Sequence, residues 1–254
     1  MAIVGNPPAS AGANGFDIRM AFQPIVDTET RTVYAYEALV RGANGESAAD
    51  VIAGIVPETR YLFDQQCREA AIEQAVAAGI LSTGARLAIN FMPDTISSPI
   101  SDSERTIAAA RRFGLDRARL IFEFSKPDAL DARLIATIIE IYRKMSFATA
   151  FDDFGTVHAE QGLLRRFIPD IVKLDPELVR GICTSWARRL ALEKMVELAR
   201  ELEIRVIAEG VETRAEFEKL QSLGIRYQQG YFIARPATGE LPAPQCFEDG
   251  PAPG

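Results

Sequence analysis

Residues 21–41, Ala-Phe-Gln-Pro-Ile-Val-Asp-Thr-Glu-Thr-Arg-Thr-Val-Tyr-Ala-Tyr-Glu-Ala-Leu-Val-Arg, decide the fold. Two runs rich in β-branched and aromatic residues, Ala21–Val26 and Val33–Arg41, flank the polar turn Asp27–Arg31. That turn is too short for a helix, so the two runs predict an antiparallel hairpin. Beyond the hairpin the pattern changes. Strand-like runs recur at Arg86–Phe91, Leu120–Phe124, Ala148–Phe151, Ile171–Leu174, Arg205–Ala208 and Tyr227–Ile233. Helical periodicity fills most of the gaps, at Gln65–Ala78, Glu104–Phe113, Ala132–Met145, Trp186–Leu202 and Arg214–Leu223, the last behind a capping Thr213. About eight strands alternating with helices in a chain of this length predict an α/β fold: a TIM (β/α)8 barrel modified by one antiparallel strand. A doubly wound open sheet is the alternative, but no GxGxxG or GxxxxGK[ST] stretch follows a strand. Residues 1–16 and 240–254, dense in Pro, Gly and Ala, are expected to be flexible tails around a barrel domain at 17–239.

Composition narrows the function. With 48% hydrophobic and 25% charged residues, the 254-residue chain is no disordered, fibrous or membrane protein. A formal charge of −7 argues against DNA or RNA polymers as partners, so an anionic ligand needs metal ions or a local basic pocket. Cys67, Cys183 and Cys246 are widely spaced and odd in number, which gives neither a disulfide framework nor a zinc knuckle. The lone His158 speaks against a His-rich metal site and a Ser-His-Asp triad. No Lys or Arg precedes Arg19 and residues 2–15 hold no continuous apolar core, so no signal peptide is expected. No run approaches a membrane span. The expected location is the cytoplasm.

The informative residues sit at strand ends. Glu37 interrupts the second strand, Asn90 and Glu123 stand near the ends of theirs, and Asp152 and Asp153 terminate Ala148–Phe151. Lys173 and Asp175 flank the end of Ile171–Leu174, Glu209 ends Arg205–Ala208, and Gln229 lies in the last run. Any one of these is easily a solvated group at a loop start. A polar group at nearly every strand end is different, because in a barrel those positions converge on the mouth where active sites lie. Carboxylates and a carboxamide without His or Cys form a hard oxygen-donor set suited to Mg²⁺ or Mn²⁺, with Ca²⁺ also able to bind. Such a cluster can hold a pair of ions and hydrolyse a phosphodiester, with Lys173 orienting water or offsetting phosphate charge. Proton abstraction beside a carboxylate, as in enolase-type barrels, is the rival chemistry.

Tyr36-Glu37-Ala38-Leu39-Val40-Arg41 resembles the signature of the EAL-domain family, the cyclic di-GMP phosphodiesterases and their non-catalytic relatives. The resemblance runs from Ala21 to Pro236. It includes Gln23-Pro24, Asn90 in Ala-Ile-Asn-Phe, Glu123 in Phe-Glu-Phe-Ser, Asp152-Asp153-Phe154-Gly155-Thr156, Val172-Lys173-Leu174-Asp175, Ala208-Glu209-Gly210-Val211-Glu212-Thr213 and Gln229-Gly230-Tyr231. It implies a modified TIM barrel that hydrolyses cyclic di-GMP to linear 5′-pGpG with two Mg²⁺ or Mn²⁺ ions, and is inhibited by Ca²⁺. By the same resemblance Glu37, Asn90, Glu123, Asp152, Asp153 and Glu209 bind metal, one Asp of the pair bridging the ions. Lys173 contacts the nucleophilic water, and Asp175, Glu212 and Gln229 support the metal–water site. Arg41 binds ligand phosphate, Gln23 and Leu39 lie near a guanine, and the chain forms a homodimer with a signalling protein as a further partner.

Two features depart from the family pattern. Lys126 stands where the phosphodiesterases place a second Glu, and 156–161 (Thr-Val-His-Ala-Glu-Gln) replaces a small, Gly-containing loop. Val157 cannot cheaply adopt the positive φ that a glycine allows. A Lys126–Glu160 ion pair is one compensation. These departures carry the alternative expectation, a catalytically silent cyclic di-GMP receptor or interaction domain.

Overall fold

The computed structural model describes residues 15–96, 98–125, 131–155 and 160–247. The opening hairpin is present: β1 (Ile18–Asp27) and β2 (Thr32–Gly42) pair antiparallel, from Ile18 opposite Gly42 to Asp27 opposite Thr32. Parallel pairing then runs from β2 through β3 (Arg86–Phe91), β4 (Leu120–Ser125), β5 (Ala148–Phe154), β6 (Ile171–Leu174), β7 (Arg205–Ala208) and β8 (Tyr227–Gln228). Two pairs, Val26–Gln228 and Asp27–Tyr227, bring β8 back to β1 and close the barrel. The structure is therefore the modified TIM barrel expected, with β1 as the antiparallel strand. Outside the barrel, β9 (Ala237–Thr238) pairs with Ala21 and Phe22 of β1.

Helices fill the crossovers: α1 (Ala48–Ala53), α2 (Arg60–Ala77), α3 (Pro99–Phe113), α4 (Ala132–Lys144), α5 (Glu160–Phe167), α6 (Pro176–Val179), α7 (Trp186–Glu201) and α8 (Arg214–Ser222). Their starts are chemically marked. Asp131 caps α4, Ser185 caps α7, and Thr213 with Glu216 forms a capping box on α8. On α4, Ile135, Ile138, Ile139 and Tyr142 face inward at helical spacing, and the Tyr142 ring meets Phe91, Phe122 and Phe147. Short helices α1 and α6 are not apparent from apolar periodicity because each is about one to two turns long.

Alternation along the strands splits the barrel interior into two layers. Ile25, Ala35, Ala88, Ile121, Ala150, Ile171 and Ile207 form a closed apolar plug. Two residues nearer the mouth on each strand stand Gln23, Glu37, Asn90, Glu123, Asp152, Lys173 and Glu209. Below the plug, Asp27 ties the hairpin turn to the last strand. Its carboxylate accepts from Arg226 Nε at 2.7 Å and Nη2 at 2.5 Å, and from the amides of Glu29 and Thr30.

One strand bound is corrected. The last strand ends at Gln228, not Ile233. Past it, the Gln229 amide donates to the Ala208 carbonyl and Gly230 lies against the Val211 backbone, where a Cβ would collide. The chain thus leaves the wall to interlock with the segment after β7. Residues on either side of the barrel strands also pack against the barrel. Phe16 is buried edge-on against Phe63, with ring centroids 5.1 Å apart. At the other end Cys246 is buried, Phe247 meets Phe217, and Pro242 accepts a hydrogen bond from the Tyr36 hydroxyl. Apolar side chains within the Pro-rich stretch gain this burial.

Candidate active site

Lys173 is at the centre of the upper layer and is fully buried. Its Nζ lies 2.7 Å from Glu209 Oε1, 3.0 Å from Glu123 Oε2, 3.2 Å from Glu37 Oε2 and 3.6 Å from Asp152 Oδ1. β2, β4, β5 and the residue just past β7 each deliver one carboxylate to a single ammonium. Amides complete the frame: Asn90 Nδ2 and Gln229 Nε2 donate to the two oxygens of Glu37, at 2.9 and 2.8 Å. Gln229 Nε2 also reaches Gln23 Oε1 at 3.4 Å, and Gln23 Nε2 donates to the Ala234 carbonyl.

The charges respond to this crowding. Burial disfavours the ammonium, yet Asp152, Glu123, Glu209 and Glu37 outweigh it and hold the Lys173 pKa well above the usual lysine value. Burial, joined by the charge of Glu37, pushes Glu123 well above the usual carboxylate range. Glu209 is raised for the same reason, with Asp152 and Glu37 adding and Lys173 opposing. Glu37 goes the other way: burial is overcome by Lys173 and the amides of Gln229 and Asn90. One ammonium cannot neutralise four carboxylates, so the layer keeps an unmet demand for cations.

A bulge in β5 adds a fifth carboxylate. Asp152 and Asp153 together oppose the one residue Lys173 on β6, and Asp153 adopts a left-handed φ of 55°. Asp152, Asp153 and Glu209 each offer an oxygen within 4.8 Å of the others. Among the described residues, Glu123 Oε1 and Gln229 Oε1 are buried acceptors without a partner. Acceptor-only oxygens, two of them orphaned, fit a hard divalent cation and offer nothing to a soft one. Gly210 holds the Glu209 end in place, with φ +66° and Pro176 packed where a Cβ would stand.

Cavities open on both sides of the layer. One of about 550 Å³ lies toward α1 and α2 and is lined by Phe63, Asp64, Asn90, Met92 and Arg60. The other, about 360 Å³, is lined by Gln23, Glu209, Glu212, Gln229, Arg180 and Tyr231. Glu37, Leu39 and Asp152 line both.

Not every expected site residue joins this cluster. Asp175 caps α6, accepting from the Glu177 amide at 2.7 Å. Glu212 is exposed at the rim, 3.8 Å from Arg180. Arg41 donates to the Val40 carbonyl at 2.8 Å. Lys126, Val157 and His158 lie outside the described residues. Sequence reading missed Arg180, Tyr231, Arg60 and the buried Asp64–Arg68 pair. Asp64 accepts the Met92 amide just past Asn90 and binds Arg68 at 2.5 Å, while that guanidinium stacks on Phe91. The available signal was two opposite charges at i, i+4 beside Phe63 and Cys67 in an apolar helical stretch.

A closed barrel whose strand ends carry a buried oxygen-donor layer, flanked by two cavities, defines a class of α/β-barrel protein with its site at the C-terminal face. Within that class the chain belongs to the EAL domain family, which it matches over residues 11–236. It is 30% identical to a probable cyclic di-GMP phosphodiesterase, PdeN of Escherichia coli K12, over 85% of this chain and 43% of that protein. A standalone versatile EAL protein from Vibrio cholerae O395, solved with cyclic di-GMP bound, superposes with TM-score 0.87 at 39% identity, covering 92% of this chain and 98% of the other. BlrP1 of Klebsiella pneumoniae, solved with manganese and cyclic di-GMP, gives TM-score 0.81 at 30% identity over 93% and 58%. The chain spans less than half the length of PdeN. No helix among the described residues is long and apolar enough to cross a membrane.

Proposed function

We propose that this chain is a metal-dependent phosphodiesterase that opens cyclic di-GMP to linear 5′-pGpG. The observation that carries the reading is the buried oxygen-donor layer set between two cavities that share Leu39. A flat, two-based dianion can straddle that layer with one base in each cavity. Glu37, Asn90, Glu123, Asp152, Asp153 and Glu209 would hold the ions. When bound, divalent ions neutralise phosphate charge and lower the pKa of a water molecule.

The chain's own groups then have distinct tasks. Lys173 would fix the attacking water against the phosphate while Glu209 takes its proton. Water adds across one P–O3′ bond, leaving the phosphate on the 5′ oxygen and a free 3′ hydroxyl. Gln229 and Asn90 keep Glu37 oriented. Arg41 would turn from the Val40 carbonyl to ligand phosphate, and Gln23 and Leu39 would face a guanine. Asp175 and Glu212 support the rim. Inhibition by Ca²⁺, homodimerisation and a cytoplasmic location belong to the same reading.

The test is incubation of pure protein with cyclic di-GMP and Mg²⁺ or Mn²⁺, with pGpG followed chromatographically and binding measured in parallel in Ca²⁺. Turnover in Mn²⁺ that stops in EDTA or Ca²⁺ is the expected result. Binding without turnover replaces the enzyme by a receptor; neither binding nor turnover overturns both readings.

A further inference from the structure

The fully buried Lys173 ammonium stands among Glu37, Glu123, Asp152 and Glu209, within 3.6 Å of an oxygen of each. That is more contact than orienting one water requires. An ammonium with three hydrogens cannot bond all four carboxylates at full strength, so it acts as a shared charge at their centre. Three of the four acidic side chains come from different strands, and Glu209 stands just past a fourth, β7. Without a cation between them the four could not all stay ionised in a buried layer.

We propose that Lys173 is the resident counter-cation of the acidic layer: it holds the carboxylates together when no metal is bound and competes with divalent ions for the same oxygens. Metal affinity is then set partly by how readily Glu37, Glu123, Asp152 and Glu209 leave the ammonium. Coupling of this kind is reciprocal, so metal binding loosens Lys173 as much as Lys173 weakens metal. The proposal rests on the metal-binding part of the functional reading and not on cyclic di-GMP.

The experiment uses the whole chain with Mg²⁺ or Mn²⁺ alone and no nucleotide. Calorimetry on Lys173→Met is expected to show metal affinity raised by about tenfold or more over wild type, since one repelling charge is gone. In metal-free buffer the same variant should melt below wild type, and added Mg²⁺ should raise its melting temperature by more than it raises that of wild type. Unchanged or weaker metal affinity in a folded variant overturns the proposal while leaving phosphodiesterase activity open. No metal binding by either protein overturns it together with the metal assignment. Should Lys173→Met fail to fold, ¹⁵N-labelled lysine in wild type reports directly. The Lys173 ammonium resonance should shift or broaden on metal titration, and a resonance indifferent to saturating Mg²⁺ refutes the competition.

Discussion

Two layers of one barrel, two residues apart along each strand, obey opposite rules. The lower layer, from Ile25 round to Ile207, is apolar, closed and fully paired by contact. The upper layer puts four carboxylates around Lys173 and leaves buried oxygens without partners. Both are built by the same backbone and the same hydrogen-bond ladders. The lower layer therefore contributes the stability that the upper one costs.

The comparison breaks most sharply at Glu209. Glu209→Gln is expected to lower hydrolysis by at least about a thousandfold, the several kcal/mol that a cation contributes at developing charge. Its melting temperature in EDTA should equal or exceed wild type, because burial and neighbouring acids already disfavour the Glu209 carboxylate. Wild-type turnover in this variant at saturating Mn²⁺ would remove Glu209 from the site. Ile121→Ala, one layer down, should do the reverse. It leaves a cavity in the plug and should cost about 2–5 kcal/mol in denaturant unfolding, with KM and metal demand little changed. A large loss of activity without loss of stability would mean that the two layers are coupled.

The smallest effect lies at the barrel floor. Asp27→Ala should cost about 1.5–3 kcal/mol, the usual range for hydrogen bonds to a charged group. Burial raises the Asp27 pKa, but the Arg226 fork and the Thr30 and Glu29 amides outweigh it, so the net shift is downward. Its contribution is thus complete above the ordinary value of 3.8 and disappears as pH falls through the lower folded value. Wild type and variant should converge in acid, and a gap that is constant with pH would assign the clamp to packing alone.

The upper layer was legible because cost marks it: a polar residue at Glu37, Glu123, Asp152 and Glu209 interrupts runs that otherwise pack apolar. The hairpin was legible because Asp27–Arg31 leaves no room for a crossover. Long-range choices were not. Asp175 and Glu212 share the strand-end pattern, yet one caps α6 and the other faces Arg180, and nothing local distinguishes a group that turns inward from one that turns to its own helix. Interlocking of Gly230 with Val211 ended the last strand early, a contact between segments some twenty residues apart that periodicity does not register. Arg68 was hidden by its type, since a guanidinium stacked on Phe91 in the core looks in sequence like a surface helix residue.

The β5 bulge has a consequence in parity. A regular strand gives every second side chain to a cavity, so eight strands of this barrel can supply only a fixed number of groups at one depth. By setting Asp152 and Asp153 against the single residue Lys173, the strand spends one extra residue and shifts phase, presenting consecutive carboxylates to one space. Beyond the slip, Phe154 is back in the outer core with its neighbours in step. The barrel thus gains a ligand without gaining a strand, and a deletion of either aspartate would remove that ligand and leave a regular strand, with Phe154 still opposite Leu174.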